Sequence, residues 1–106
     1  MPLVQISAIP PRHLFPGVRG HYAHGERTTL GEVILAAGGV VPVHQHPHEQ
    51  LSYVISGQLE FTIGSEKFLM NPGACLLIPG GAPHGCRAIT DCKVVDVFSP
   101  VREDYR

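Results

Sequence analysis

The sequence feature that most constrains the fold is a series of short segments with a period of two, separated by turns rich in glycine and proline. Residues at alternate positions of a strand point to opposite faces, so such segments predict half-buried strands. The predicted strands are Leu30–Ala36, Leu51–Ser56, Leu59–Ile63, Lys67–Met70, Ala74–Ile78 and Lys93–Phe98. Ten prolines and twelve glycines leave no helical stripe of useful length. The pattern predicts an all-β, mostly antiparallel sandwich or barrel.

The chain length of 106 residues fits one domain, and we predict that residues 1–106 form it. The irregular stretch of about 1–18 is expected to be an N-terminal arm that leads to a first strand near His21–Glu26. Such an arm could cover a sheet edge or pair with a neighbouring subunit. Residues 101–106 follow a proline and are expected to be a short polar C-terminal tail.

The charge pattern argues against several kinds of partner. The net charge is −1, and no basic or acidic block occurs, so neither nucleic acid nor a membrane is expected as a partner. No apolar run could span a bilayer and no leader is visible, so we expect a cytoplasmic protein. Only 16% of residues are charged, which favours a homodimer that covers part of the surface. Cys75, Cys86 and Cys92 lack paired spacing and are expected to be free thiols.

Histidines form the first candidate site. His44 and His46 have i, i+2 spacing, which on a strand aims two imidazoles at one point. His84 follows a rigid turn that contains two prolines, and Gln50 begins the next predicted strand after the pair. A divalent ion needs three or more ligands, and these four residues can supply them. We therefore predict one divalent metal ion held by His44, His46, His84 and Gln50.

Asp96, Phe98 and Arg102 form a second candidate group near the C-terminus. Asp96 and Phe98 share one face of a strand that is apolar on both faces, so the acid there is paired, functional or on a sheet edge. A structural salt bridge is the simpler interpretation of Asp96. Near an ion, the same side chain would be a candidate general acid or base. Arg102 could bind a substrate carboxylate, or it could pair with Glu103 or Asp104.

Two motifs resemble those of the cupin superfamily. Gly38-x5-His44-x-His46-x3-Gln50-x6-Gly57 resembles the first cupin motif, and Gly73-x5-Pro79-x-Gly81-x2-His84 resembles the second. The resemblance implies a small jelly-roll β-barrel with a metal ion inside one end. Gln50 replaces the usual carboxylate, and Ala88 stands where the second motif usually ends in Asn. Glu49 is the other candidate for the missing carboxylate, but on a strand it would face away from Gln50.

The departure at Gln50 has a chemical consequence. Three neutral imidazoles and a neutral amide would leave the charge of a divalent ion undiminished, which favours Lewis-acid chemistry and anionic substrates over redox iron. The ligand set does not distinguish Ni, Mn, Zn, Fe or Co.

Most of the chain from Pro16 onward is similar to the KdgF-type cupins of pectin and alginate breakdown, which convert cyclic 4,5-unsaturated uronates to linear keto acids. Asp96-x-Phe98-x3-Arg102 coincides with the catalytic group of that family, and the set of three His and one Gln matches its metal ligands. The resemblance implies catalytic roles for Asp96, Phe98 and Arg102, and an anionic sugar acid as small-molecule substrate. The alternatives are another metal-dependent cupin enzyme, such as a dioxygenase, and a non-catalytic sugar-acid-binding cupin.

Overall fold

The computed structural model describes residues 2–106, and within them the chain forms ten strands and two 3-10 turns. The strands are β1 (Arg12–Phe15), β2 (Val18–His24), β3 (Thr29–Leu35), β4 (Val40–His44), β5 (Glu49–Ser56), β6 (Leu59–Ile63), β7 (Glu66–Met70), β8 (Cys75–Ile78), β9 (His84–Ala88) and β10 (Cys92–Ser99). The 3-10 turns are Ile6–Ala8 and Glu103–Tyr105. Neither of these helical turns has the length or apolar character needed to cross a membrane.

The strands belong to two antiparallel sheets. One has the order β1-β2-β3-β10-β5-β8, and the other has the order β4-β9-β6-β7. Within residues 2–106 no backbone ladder joins the two sheets, so they form an open jelly-roll sandwich and not a continuously hydrogen-bonded barrel. The predicted all-β, antiparallel jelly-roll class is therefore confirmed, although the sheets do not close on each other.

All six strands predicted first are present, with ends that differ from the prediction by no more than two residues. The strand expected near His21–Glu26 is β2, which begins earlier. β1, β4 and β9 were not predicted. β4 contains Pro42, which lacks a backbone N–H, and it is tolerated because β4 lies at the edge of its sheet. β9 has little β-forming character of its own and is held between β4 and β6.

The predicted N-terminal arm of about 1–18 contains regular structure. Residue 1 lies outside the described part of the chain. The turn Ile6–Ala8 packs next to β2, where the carbonyl oxygen of Ile9 lies 2.6 Å from His21 Nδ1. β1 follows and pairs with β2. The arm thus covers one edge of the large sheet.

The hydrophobic core lies between the two sheets. Leu35, Val54 and Val94 from the large sheet meet Leu59 and Ala88 from the small one, and all five are at most 2% exposed. Burying one such larger aliphatic side chain contributes about 1.5–3 kcal/mol to folding.

Towards one end of the sandwich the inward-facing residues change from apolar to polar. On β5 the inward series continues from Val54 to Ser52 and Gln50, and on β10 it continues from Val94 to Asp96. The apolar core and the polar site are therefore adjacent segments of the same two strands.

Tyr22 covers the inner face of β2 and β3 in space that two glycines leave open. A Cβ atom on Gly31 would lie 2.5 Å from Cε1 of the Tyr22 ring, and a Cβ on Gly20 would lie 2.5 Å from its hydroxyl oxygen. Tyr22 is 7% exposed, and Gly31 is its paired residue on the neighbouring strand. The ring can occupy this position only because both neighbours lack a side chain.

We expect Gly31→Ala to destabilise the fold, because the new methyl group overlaps the Cδ1–Cε1 edge of the buried Tyr22 ring. Overpacking of this kind typically costs about 1–3 kcal/mol of the free energy of unfolding. Urea denaturation followed by circular dichroism measures it. Gly25→Ala is the matched control, because its Cβ would make only an ordinary contact of 3.5 Å with Thr28. Equal stability of the Gly31→Ala variant and the wild type would contradict this account of the packing.

Candidate functional site

Three histidines converge where β4 and β9 meet. His44 is the last residue of β4 and pairs with His84, the first residue of β9. His46 lies in the connection that follows β4, so it reaches the cluster from a loop and not from a strand. The nitrogen atoms that the three side chains offer all lie within 4.8 Å of one another. A single metal ion could therefore contact all three imidazoles.

Backbone carbonyl groups set the orientation of each ring. In all three histidines Nδ1 lies within hydrogen-bond distance of a carbonyl oxygen close by in the chain. The distances are 2.9 Å from His44 to Pro42, 3.1 Å from His46 to His48 and 2.8 Å from His84 to Ala82. A neutral ring that donates from Nδ1 keeps the lone pair of Nε2 free, which is the arrangement usual for metal-bound histidine.

Burial and nearby positive charge favour the neutral form of His46 and His84. Burial, together with the charge of Arg102 and the neighbouring His84, lowers the pKa of His46 to about 4. Burial also lowers the pKa of His84. His84 Nε2 is buried and has no hydrogen-bond partner among residues 2–106. A buried nitrogen with a free lone pair costs energy unless something binds it, so this atom fits a metal ligand.

Gln50 completes the cluster from β5. Its side chain is buried, its Nε2 donates to Ser52 Oγ at 2.9 Å, and its Oε1 therefore faces His46 Nε2 at 3.0 Å. The neutral ring of His46 has one N–H but faces two oxygen acceptors, Oε1 of Gln50 and the carbonyl of His48. A cation between His46 Nε2 and Gln50 Oε1 would resolve this mismatch.

Glu49, the other candidate for the fourth donor, is exposed on the opposite face of β5. This placement agrees with the expectation from strand parity. His48 lies beside the cluster: its carbonyl faces His46, and its Nε2 lies 3.2 Å from the carbonyl oxygen of Val101.

Asp96 is connected to Gln50 by a short polar chain. Ser52, which is fully buried, donates to Asp96 Oδ1 at 2.6 Å and accepts from the Gln50 amide. Burial raises the pKa of Asp96 to about 6, against the hydrogen bond from Ser52, the amide of Gln50 and the charge of Arg102, which all lower it. Asp96 forms no salt bridge within residues 2–106, so the structural interpretation weighed for it is not observed.

Arg102 borders a cavity that Asp96 also borders, and its guanidinium lies between two aromatic rings. Its guanidinium carbon is 4.7 Å from the ring centre of Phe98 and 4.0 Å from that of Tyr105. Nε and one terminal nitrogen bond both carboxylate oxygens of Asp104, at 3.0 and 2.8 Å. The pairing with Asp104 that the sequence left open is thus present. The other terminal nitrogen, Nη1, lies outside this ion pair.

The segment 101–106, expected as a polar tail, packs against the mouth of the cavity. Val101 and Arg102 are each 5% exposed, and Tyr105 lines the cavity. His24 Nε2 lies 3.1 Å from the carbonyl oxygen of Tyr105, and Arg12 donates to the carbonyl oxygen of Asp104 at 2.9 Å.

One cavity joins these groups. His44, His84, Gln50, Asp96, Phe98 and Arg102 all border it.

The sequence did not single out three further residues at the cavity. Tyr22 and Tyr105 complete its wall, and Ser52 completes its polar network. Ser52 could have been noticed, because it shares the strand face of Gln50. Cys86 also borders the cavity, but burial raises its pKa to about 12 and keeps the thiol protonated.

Comparison with known proteins gives a consistent family. Residues 31–98 match the family described as Cupin domain. Among solved structures, KdgF from Halomonas sp. is 32% identical, covers 92% of this chain and 91% of its own, and superposes with a TM-score of 0.86. An RmlC-like cupin from Shewanella frigidimarina NCIMB 400 has a TM-score of 0.93 at 21% identity, with 100% of this chain and 96% of its own covered.

A curated relative points to a second type of cupin enzyme. Quercetin 2,3-dioxygenase of Bacillus subtilis (strain 168) is 36% identical over 94 residues. The match covers 82% of this chain but only 28% of the dioxygenase, so the chain spans less than a third of that protein. The motifs, the jelly-roll sheets and the sequence match agree, and this chain belongs to the cupin family, in which it resembles KdgF.

Proposed function

We propose that this cupin is a metal-dependent enzyme that converts cyclic 4,5-unsaturated uronates to linear keto acids. The observation that carries the proposal is the position of Asp96, which is half-buried at the cavity and linked through Ser52 to Gln50 beside the histidines. Arg102 borders the same cavity. The similarity to KdgF over most of both chains supports this activity over others in the family.

His44, His46, His84 and Gln50 would hold one divalent metal ion. The free lone pair of buried His84 Nε2 and the two facing acceptors of His46 and Gln50 support this assignment. A divalent ion bound there supplies Lewis-acid stabilisation of negative charge that develops on a substrate oxygen. All four donors are neutral, so none of that charge is cancelled by the protein.

Asp96 would move the protons of the reaction. Ring opening takes the proton from the anomeric hydroxyl, breaks the bond between C1 and the ring oxygen, and leaves an aldehyde and an enolate. Protonation of C4 then turns the enolate into a ketone, so the product is an isomer of the substrate and no co-reactant is needed. A carboxyl group with a pKa of about 6 can accept the first proton and return one to carbon near neutral pH.

Arg102 and Phe98 would position the substrate. Asp104 and the two flanking rings hold the guanidinium in one orientation, with Nη1 outside the ion pair and available to a substrate carboxylate. Phe98 is 3% exposed, borders the cavity and packs against the ring of His46 and the guanidinium of Arg102, so it would shape the pocket beside the sugar.

A dioxygenase is the second candidate, because 82% of the chain matches quercetin 2,3-dioxygenase. Oxygen uptake on a flavonol, dependent on added iron or copper, would support it. The absence of a carboxylate among the four candidate ligands favours charge stabilisation over redox chemistry.

We expect His84→Ala to weaken metal binding by at least about 10-fold, because it removes one of three convergent imidazoles. Elemental analysis of the purified protein should find about one divalent ion per wild-type chain and much less in the variant. His13→Ala, an exposed histidine on β1, is the matched control and should bind metal like the wild type. Equal metal content in the His84→Ala variant and the wild type would refute the assignment.

Asp96→Asn should lower kcat by about 10²–10⁴-fold, because the amide keeps the shape but cannot exchange the proton. The assay follows the absorbance of an unsaturated monouronate, corrected for spontaneous ring opening. Glu66→Gln, an exposed acid on β7, should leave the rate unchanged. Full activity of an Asp96→Asn variant that retains its metal would exclude the proposed proton transfer.

Arg102→Lys keeps the positive charge but loses the planar fork, so we expect KM for the uronate to rise about 10-fold. The change in kcat should be smaller, because Asp96 remains in place. Steady-state kinetics at saturating metal separates the two constants. Arg106→Lys is the control, since Arg106 forms an exposed ion pair with Glu103. An unchanged KM in the Arg102→Lys variant would show that Arg102 does not bind the substrate.

A further inference from the structure

The hydroxyl of Tyr22 is a polar group inside the sandwich that the protein leaves without a partner. The side chain is 7% exposed, yet its Oη forms no hydrogen bond with any of residues 2–106. Oη is not among the unpartnered polar atoms that are fully enclosed, so it remains open to the cavity that Tyr22 borders. A polar atom of this kind is a candidate to bind a ligand, because a missing hydrogen bond is costly there.

Strand register places this hydroxyl deeper in the sandwich than Asp96. Tyr22 pairs with Gly31, and Gly31 pairs with Asp96, so the three residues share one row across the sheet. The Tyr22 ring extends over Gly20, whose Cβ would lie 2.5 Å from Oη. Gly20 is two residues from Tyr22 along β2, and each strand residue rises by about 3.3 Å, so Oη lies about 7 Å from the Asp96 row, on the side away from the proposed metal ion.

The cavity wall around the hydroxyl is mainly apolar. Gly20 pairs with Val33, and Leu35 follows Val33 on the same face of β3. Val33 and Leu35 border the cavity together with Phe61. A ligand oxygen placed here would lose its water, and these side chains offer no hydrogen bond in return. The Tyr22 hydroxyl can supply one, so this end of the cavity suits a ligand with an oxygen at that point.

The ring is held in one orientation, which keeps the hydroxyl in place before a ligand binds. Gly20 and Gly31 leave room for the ring on one side, and Tyr105 packs against it with the ring centres 4.6 Å apart. Burial raises the pKa of Tyr22 above its usual range, and the nearby Tyr105 and Asp96 raise it too. The hydroxyl is therefore protonated near neutral pH and can donate a hydrogen bond.

We propose that the Tyr22 hydroxyl donates a hydrogen bond to one ring hydroxyl of the bound sugar acid and so determines which sugar acids the site accepts. This inference rests on the proposed function, because it takes the ligand to be an unsaturated uronate. The ring of that ligand carries hydroxyl groups at C2 and C3 besides the anomeric one. A sugar acid without the matching hydroxyl leaves Tyr22 Oη unpaired, and buried polar sites reject such analogues more strongly than apolar pockets reject a missing methylene.

The variant Tyr22→Phe separates a contact with the ligand from a structural contact, because it removes only the oxygen. Since Oη bonds no protein group, the urea midpoint of the metal-loaded protein without sugar should be unchanged or slightly higher. Tyr53→Phe is the matched control, at a tyrosine 44% exposed on β5. A clear fall of the midpoint in Tyr22→Phe alone would show that the protein itself uses the hydroxyl, and it would overturn the inference.

Binding is measured with the 1-deoxy analogue of the unsaturated uronate, which cannot open its ring because it lacks the anomeric hydroxyl. Isothermal titration calorimetry on the metal-loaded protein should give a dissociation constant about 10-fold higher for Tyr22→Phe than for the wild type or Tyr53→Phe. Further removal of the C2 or the C3 hydroxyl should, at one of the two positions, weaken binding to the wild type about 10-fold and leave binding to Tyr22→Phe unchanged.

Equal dissociation constants for the wild type and Tyr22→Phe would overturn the inference, and so would a loss on removal of each hydroxyl that is the same in both proteins. Binding of the analogue without turnover of the unsaturated uronate would contradict the proposed activity and leave the role of Tyr22 intact. Turnover by the wild type with an unchanged dissociation constant in Tyr22→Phe would do the reverse. A wild type that neither binds the analogue nor opens the uronate would overturn both.

Discussion

Strand β10 pairs with β5 along almost its whole length, and the core and the candidate site both depend on the register of that pairing. Val94 lies opposite Val54, Asp96 lies opposite Ser52, and Phe98 pairs with Gln50. A slip of one residue would turn every one of these side chains to the other face of the sheet.

The polar end of the sandwich is costly for the fold. Gln50, Ser52, His84 and Arg102 are all buried there, and an unsatisfied buried polar group costs about 1–3 kcal/mol. Hydrogen bonds from Gln50 through Ser52 to Asp96, and from Arg102 to Asp104, offset most of this cost. The atoms left unsatisfied are His84 Nε2 and the facing acceptors of His46 and Gln50, where a metal ion would bind, and His48 Nδ1 beside them. Polar atoms without hydrogen-bond partners are thus found at the position proposed for the metal ion.

Prediction from the sequence was most accurate where a local pattern of residues determines the structure. The strands with regular alternation were found almost to the residue, and the spacing of the histidines was sufficient to group His44, His46 and His84. It missed β4 and β9, because their pairing with neighbouring strands outweighs the weak β propensity of their own residues. Tyr105 lies in a segment that resembles a solvated tail, and its contact with Arg102 depends on how that segment returns to the cavity.

The sequence by itself determined the fold class, the family and the identities of the convergent donors, because period, turn residues and ligand spacing are local properties of the chain. Only the tertiary structure decided how those residues act on one another. It joined Gln50 to Asp96 through Ser52, paired Arg102 with Asp104, and left the nitrogen of His84 without a partner among residues 2–106. Ser52 and Asp96 are 44 residues apart in the chain, so their contact follows from strand order and register, which no single segment encodes. Arg102 and Asp104 are close in the chain, but only the fold places Arg102 at the cavity.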